Sequence, residues 1–373
     1  MINVIPERHI NRLPPMVIRQ RGLTLVELMI SMSLALFVLA GVLQIYATSS
    51  QNSQVNSGVL RIQENIRYVI SRLEEDISQG GNAGCFSFMY DEAESANNFS
   101  GADKNTSKNR ILNILANRMG EYDWRRAISG INGASNASDS LTLRYVSPLG
   151  RMPITGVNKY KQYFMVDTDS PVQATAFSQL KPFDIVVAAS CEAAMIFMVT
   201  NNPAQDGYIA FEPTVVAKDG QKNEITNVDD NFLEKIVGGS GAPVGAVYTT
   251  PSGSYTYSIG RAASAKANCS HDNPQYCALL LNNRELVEGV QDLQVEFGRQ
   301  FGSGDHLNLQ FVQADAESLK NDPLGWGAID RIRMTITFNS INNVPTNEGS
   351  QLITKSITKV FAVANQRMKT QSL

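Results

Sequence analysis

The hydrophobic pattern of the chain opens with a run that does not alternate. From Leu23 to Ala47 the polar positions are Thr24, Glu27, Ser31, Ser33 and Gln44, and nearly all others are Leu, Val, Ile, Met, Phe or Ala. About 25 such residues at about 1.5 Å each make a helix long enough to cross a bilayer. After the polar stretch "QNSQVNSG", Val59, Ile62, Ile66, Val69, Leu73 and Ile77 recur at three- and four-residue spacing. Arg61, Glu64, Arg67, Arg72, Glu74 and Glu75 occupy the rest of the circumference, which predicts an amphipathic helix with one stripe to bury. Gly80 and Gly81 should stop it, because glycine tolerates the left-handed turn at a helix end.

Beyond Cys85 the texture changes. "YDEAESANNFSGADKNTSKN" and "SGINGASNASDS" have little to bury and read as long loops. From Leu141 onward come short strand-like segments: "LTLRYV", "YKQYFMV", "FDIVVAA", "AMIFMVT", "YIAFE" and "GAVYTT". The clearest is "RIRMTITF", where Ile332, Met334, Ile336 and Phe338 alternate with Arg331, Arg333, Thr335 and Thr337, predicting a sheet with one wet face. "LQVEF" and "SITKVFAVA" read as its neighbours. The expected fold class is therefore α+β: a long N-terminal helix packed through its amphipathic half on a mainly antiparallel β-sheet head with long loop insertions. No internal repeat is apparent.

Charge adds a direction. The formal net charge of the 373 residues is -3, which gives no reason to expect nucleic acid as a direct partner. Arg8, Arg12, Arg19 and Arg21 precede the apolar run, and the first basic residue after it is Arg61. The positive-inside bias then places the N-terminus in the cytoplasm and everything after about residue 50 across the membrane. Cys85, Cys191, Cys269 and Cys277 all lie on that far side, where an oxidising compartment favours disulfides. Four cysteines allow three connectivities; the short loop favours Cys269 with Cys277, and hence Cys85 with Cys191. A metal site is the rival reading, but the cysteines lack close paired spacing and only His271 lies near any of them.

Candidate chemistry is sparse, and no enzyme, cofactor or metal is expected. Apart from His9, only His271 and His306 are present, both in polar, loop-like contexts unsuited to a catalytic triad. "VGGSGAP" lacks the lysine of a phosphate loop and the closing glycine of a hydrolase elbow, so it reads as a flexible turn. "NVDDNF" offers an acidic pair for calcium but not the spaced ligands of an EF-hand, so it reads as a solvated loop. The three tyrosines of "YTTPSGSYTYS" fit an exposed hairpin.

Glu27 is the feature these readings leave over. A carboxylate within hydrocarbon costs about 2.5–3.5 kcal/mol on insertion scales, which points to a use for it. A secretory signal peptide, with "YATSSQ" as its cleavage region, gives it none. "RQRGLTLVELMI", in contrast, resembles the class III leader and cleavage site of type IV pilins and type II secretion pseudopilins. The resemblance implies cleavage between Gly22 and Leu23 by the prepilin peptidase, N-methylation of Leu23, and Glu27 as an assembly glutamate at the fifth mature position. Leu23 departs from the usual phenylalanine. The 22-residue leader is long for this class, and a start at Met16 would shorten it to "MVIRQRG".

Further segments, "RYVISRLEEDISQGGNAGC", "AASCEAAMIFMV", "LVEGVQDLQVEFG", "RIRMTITF" and "ITKVFAVANQR", resemble in their order those of PilW-type minor pilins. That likeness implies a type IV pilin-like fold: a leader over 1–22, a transmembrane half-helix over 23–47, an amphipathic half over 48–80 and an exported head over 81–373. It implies a structural subunit of the minor-pilin complex that primes pilus assembly and sits at the fibre tip. Its partners would be other minor pilins, the major pilin, a PilY-type tip adhesin, the prepilin peptidase and inner-membrane lipid. Before assembly the head would lie in the periplasm. The alternatives are a J-type minor pseudopilin of a type II secretion system and an exported binding protein merely tethered by an uncleaved anchor.

Overall fold

The computed structural model describes residues 24–87, 111–113, 126–134, 137–213, 215–218, 220, 222–223, 230–237, 245–250, 254–301, 308–320, 326–346 and 349–363. Gly22, Leu23, His9, His306, the "YDEAESANNFSGADKNTSKN" stretch, Asp229 and residues 238–243 lie outside them. An unbroken helix, α1, spans Leu25–Gln79 and passes through Gln44. The chain divides after Gln54 into two compact units.

In the first unit every described side chain is exposed, the large apolar ones from Leu28 at 47% to Phe37 at 84%. The second unit, Val55–Leu373, is the head and includes the amphipathic part of α1. The predicted stripe is the face it buries: Ile62, Val69, Leu73 and Ile77 are inaccessible, with Ile66 packed beside them. The two glycines that follow divide their labour. Gly81 takes the left-handed conformation (φ 77°) and its N–H donates to the Arg144 carbonyl at 2.8 Å. Gly80 has no such φ, but a Cβ there would lie 3.0 Å from Ile128 Cδ1 and 3.1 Å from the Ile77 carbonyl.

The head is mostly antiparallel sheet. A four-stranded sheet runs in the order Asn308–Val312, Val290–Phe301, Ile329–Asn339, Thr354–Ala362. A five-stranded sheet runs Arg284–Glu288, Cys277–Leu281, Tyr255–Arg261, Ser140–Leu143, Ile128–Ile131. Their inward positions, among them Ile332, Met334, Ile336, Phe338, Leu141, Leu143, Tyr257 and Leu279, form one core with the helix stripe. Outward, Thr335 pairs with Thr358 and Thr337 with Ser356, each at 2.8 Å, on the wet face that alternation predicts. The "SGINGASNASDS" stretch is only partly loop, because its first three residues pair with Ser140–Leu143 and the ladder overrides their weak strand propensity.

The third sheet departs most from the one-wet-face expectation. Its order is Ile209–Ala210, Tyr163–Val166, Arg151–Asn158, Ala246–Thr249, Ile185–Ala189, Ala194–Met198, Ile111–Asn113, with only the last pair parallel. "IVVAA" and "AMIFM" are buried at every position. Ile185, Val187, Ile196 and Met198 face the main core, whereas Val186, Ala188, Met195 and Phe197 face a second one with Phe164 and Phe211. Leu233 and Ile236 of the helix Asp230–Val237 cap that second core. Part of "NVDDNF" is thus helix rather than solvated loop, since the apolar residues that follow it cover the sheet on the side of its second core. Nor is "YTTPSGSYTYS" an exposed hairpin. Its strands Ala246–Thr249 and Tyr255–Arg261 belong to different sheets, and Tyr248 and Tyr257 are buried.

Two disulfides pin the head. Cys85 sits in the turn of the short ribbon Asn82–Ala83/Phe86–Ser87, just after α1, and is joined to Cys191 with their Cα atoms 4.6 Å apart. Cys191 lies in the turn between Ile185–Ala189 and Ala194–Met198, so the chain leaving α1 is stapled to the doubly buried hairpin. Cys269–Cys277 closes the loop leading into Cys277–Leu281. The sequence separations are 106 and 8. On the loop-entropy account the longer bridge contributes about 5 kcal/mol and the shorter about 2.5 kcal/mol. Urea unfolding of Val55–Leu373 should therefore show a clearly larger loss of midpoint for C85S/C191S than for C269S/C277S, and equal losses would overturn that ranking.

Candidate functional site

The apolar half of α1 satisfies nearly all its own polar groups. Thr24 caps the helix: its Oγ1 accepts from the Glu27 N–H at 3.3 Å and its carbonyl from the Leu28 N–H at 3.1 Å. Threonine followed three residues later by glutamate is the sequence of a capping box, which accounts for the helix starting at Leu25. Ser31 donates to the Glu27 carbonyl at 2.7 Å, Ser33 to the Met29 carbonyl at 2.9 Å and Thr48 to the Gln44 carbonyl at 3.0 Å. Hydroxyls turned back in this way place no demand on the surroundings. The Glu27 carboxylate has no side-chain partner among the described residues. It stands in the first turn, near the positive end of the helix dipole, on a surface of exposed leucine, isoleucine, methionine and phenylalanine.

Residues 18–43 match the family model of the prokaryotic N-terminal methylation motif. This is a type IV pilin-like prepilin signal. No curated protein and no solved structure matches the chain. The motif, joined to an apolar helix and a β-sheet head, supports a type IV pilin or pseudopilin anchored in a membrane.

Of the other residues singled out from the sequence, His271 is exposed and the four cysteines form the two disulfides already described. The residue that most needs explaining in the head is one to which the apolar stripe gives no role. Asp76 is 2% exposed and lies between Leu73 and Ile77 on the buried face of α1. Its Oδ1 accepts from the Tyr145 hydroxyl at 2.7 Å and pairs with Arg72 Nη2 at 3.1 Å, and its Oδ2 accepts from the Tyr257 hydroxyl. Tyr145 stacks on Tyr255, ring centroids 4.3 Å apart. One carboxylate thereby joins α1 to the central strand of the five-stranded sheet and to the segment after Ser140–Leu143. An acid on an otherwise apolar helical stripe is the sequence signal for such a group, but its partners, 69 and 181 residues away, leave no local mark.

Burial first, and then the adjacent Asp76, hold both Tyr145 and Tyr257 well above the usual phenol range. Burial works against the Arg72 charge, but Asp76 and the Tyr257 hydroxyl outweigh it and leave the guanidinium raised. The tyrosine shifts set the sign of a pH effect. Phenols raised in the folded state contribute stability that is complete below the ordinary phenol range, about pH 10, and is lost as pH climbs above it. Stability of Val55–Leu373 should fall from about pH 10 upward, and Tyr145→Phe with Tyr257→Phe should flatten that limb; an unchanged slope would overturn the assignment. Asp76→Ala should destabilise by about 3–5 kcal/mol, since it strands two hydroxyls and a partly buried cation, and Asp76→Asn by less, as read by urea unfolding.

Proposed function

We propose that this chain is a structural minor pilin of the PilW type, part of a complex that primes type IV pilus assembly and occupies the fibre tip. The observation that carries the reading is the prepilin signal at 18–43 with an unpartnered Glu27 carboxylate on an apolar helix whose serine and threonine hydroxyls bond its own backbone. Cleavage after Gly22 creates an amine at Leu23. The Glu27 carboxylate of one subunit can then pair with the terminal amine of its neighbour within a bundle of apolar helices. A buried charge left alone costs several kcal/mol, so the pairing fixes axial register more than it adds net attraction. Ala35, Ala40 and Gly41 provide small side chains for close helix approach, and nothing lies within 4 Å of a Cβ placed on Gly41. The head, carried across the membrane, presents surfaces to other minor pilins and to a PilY-type adhesin.

A J-type minor pseudopilin shares the same signal, and the long insertions of this head favour the pilus over that smaller relative. A tethered binding protein has no use for Gly22 and Glu27 at their spacing. Replacing Gly22 with tryptophan should abolish processing and function together; a working, unprocessed protein would sink the pilin reading. Glu27→Ala should be processed normally yet fall about fivefold or more in sheared pili, given the cost of the lost pairing. Normal amounts of the variant in pili would count against the pairing.

A further inference from the structure

On the side of the four-stranded sheet away from the main core lies a cleft of about 930 Å³. That is within the size range of small-molecule sites, about 300–1,000 Å³. Its floor is formed by Asp292 and Gln294 of the strand Val290–Phe301. A register shift between Val290 and Asp292 leaves Gln291 as the extra residue of a bulge, which brings its side chain to the same cleft. Asn132, Gly133, Ala137 and Ser138 make one wall, the loop closed by Cys269–Cys277 the other, and Gln313 also lines the cleft. The short disulfide closes the loop that carries His271 and Pro274.

The polar groups here are already oriented. Ser138 Oγ and Gln294 Nε2 both donate to Asp292 Oδ1, at 2.7 and 3.0 Å, which leaves Oδ2 as an acceptor with no partner among the described residues. Gln291 Oε1 accepts from Asn339 at 3.3 Å, so the Gln291 amide NH2 remains a donor. Gln313 Oε1 accepts from Asn132 at 3.4 Å, leaving its NH2 likewise, and Gln294 Oε1 remains an acceptor. Fixed donors and acceptors are therefore interspersed along one cleft.

The lining also selects by what it holds. Among the described residues lining the cleft there is no lysine or arginine to attract an anion, and Asp292 is the single carboxylate, too few for a divalent cation. The lining is too polar for a lipid chain. A hydroxyl both donates and accepts, so a neutral polyol matches amides interspersed with one carboxylate. We propose that this cleft binds a neutral oligosaccharide, an activity that does not depend on the assembly reading above.

The test uses the full chain in a sugar-free detergent, titrated with maltotetraose, cellotetraose, chitotetraose and lacto-N-tetraose by saturation-transfer NMR and calorimetry. At least one should bind, and Asp292→Ala and Gln313→Ala should each weaken it by about tenfold or more with thermal unfolding unchanged. Gln313 is exposed, so that variant keeps the test decisive if Asp292→Ala fails to fold. The proposal is overturned if none of these sugars binds, if the variants bind as well as the parent, or if only a sulfated glycan such as a heparin tetrasaccharide binds.

Discussion

The head depends on one buried carboxylate. Asp76 accepts hydrogen bonds from Tyr145 and Tyr257 and an ion pair from Arg72, at a point where the helix stripe would otherwise be wholly apolar. Hydrophobic burial alone tolerates some sliding and rotation of a helix on a sheet, because it has no direction. A carboxylate with fixed partners does not, since any shift leaves a buried charge and two hydroxyls unsatisfied. Partly solvated pairs elsewhere on the head, such as Arg61–Glu288 at 3.2 Å and Lys359–Glu74 at 2.8 Å, contribute little by comparison.

The same chemistry in a different solvent governs the other end of α1. Glu27, like Asp76, is an acid on an apolar surface, yet its carboxylate has no partner among the described residues. Inside the head the chain supplies the partners itself. On the exposed helix they have to come from outside, either from lipid headgroups and water at the membrane surface or from another subunit. The contrast between the two acids separates a group whose partners the fold supplies from one the described chain leaves unpaired.

The prepilin signal, the long helix and the antiparallel head were legible because each leaves a local pattern. A leader spacing, a three- and four-residue repeat from Ile62 to Ile77 and the alternation in "RIRMTITF" need no partner to be recognised. The second core was not. "IVVAA" and "AMIFM" read as strands, but whether a strand is buried on one face or two depends on what covers it, here Leu233 and Ile236 from a short helix that begins inside "NVDDNF", which reads as loop. Tyr248 and Tyr257 of "YTTPSGSYTYS" are buried for a related reason: two strands close in sequence join different sheets.

By itself, then, the sequence determined the long helix, the clearest strands, which face of α1 is buried, and the signal from Gly22 to Glu27, because all of these are properties of neighbours within one or two turns. Tertiary structure alone decided that Asp76 is shared by two tyrosines, that two strands of the third sheet are buried on both faces, and that Gln291, Asp292 and Gln313 line a common cleft. These depend on residues far apart in the chain. The free energy of such contacts appears only once the intervening loops are closed, so no local pattern records it.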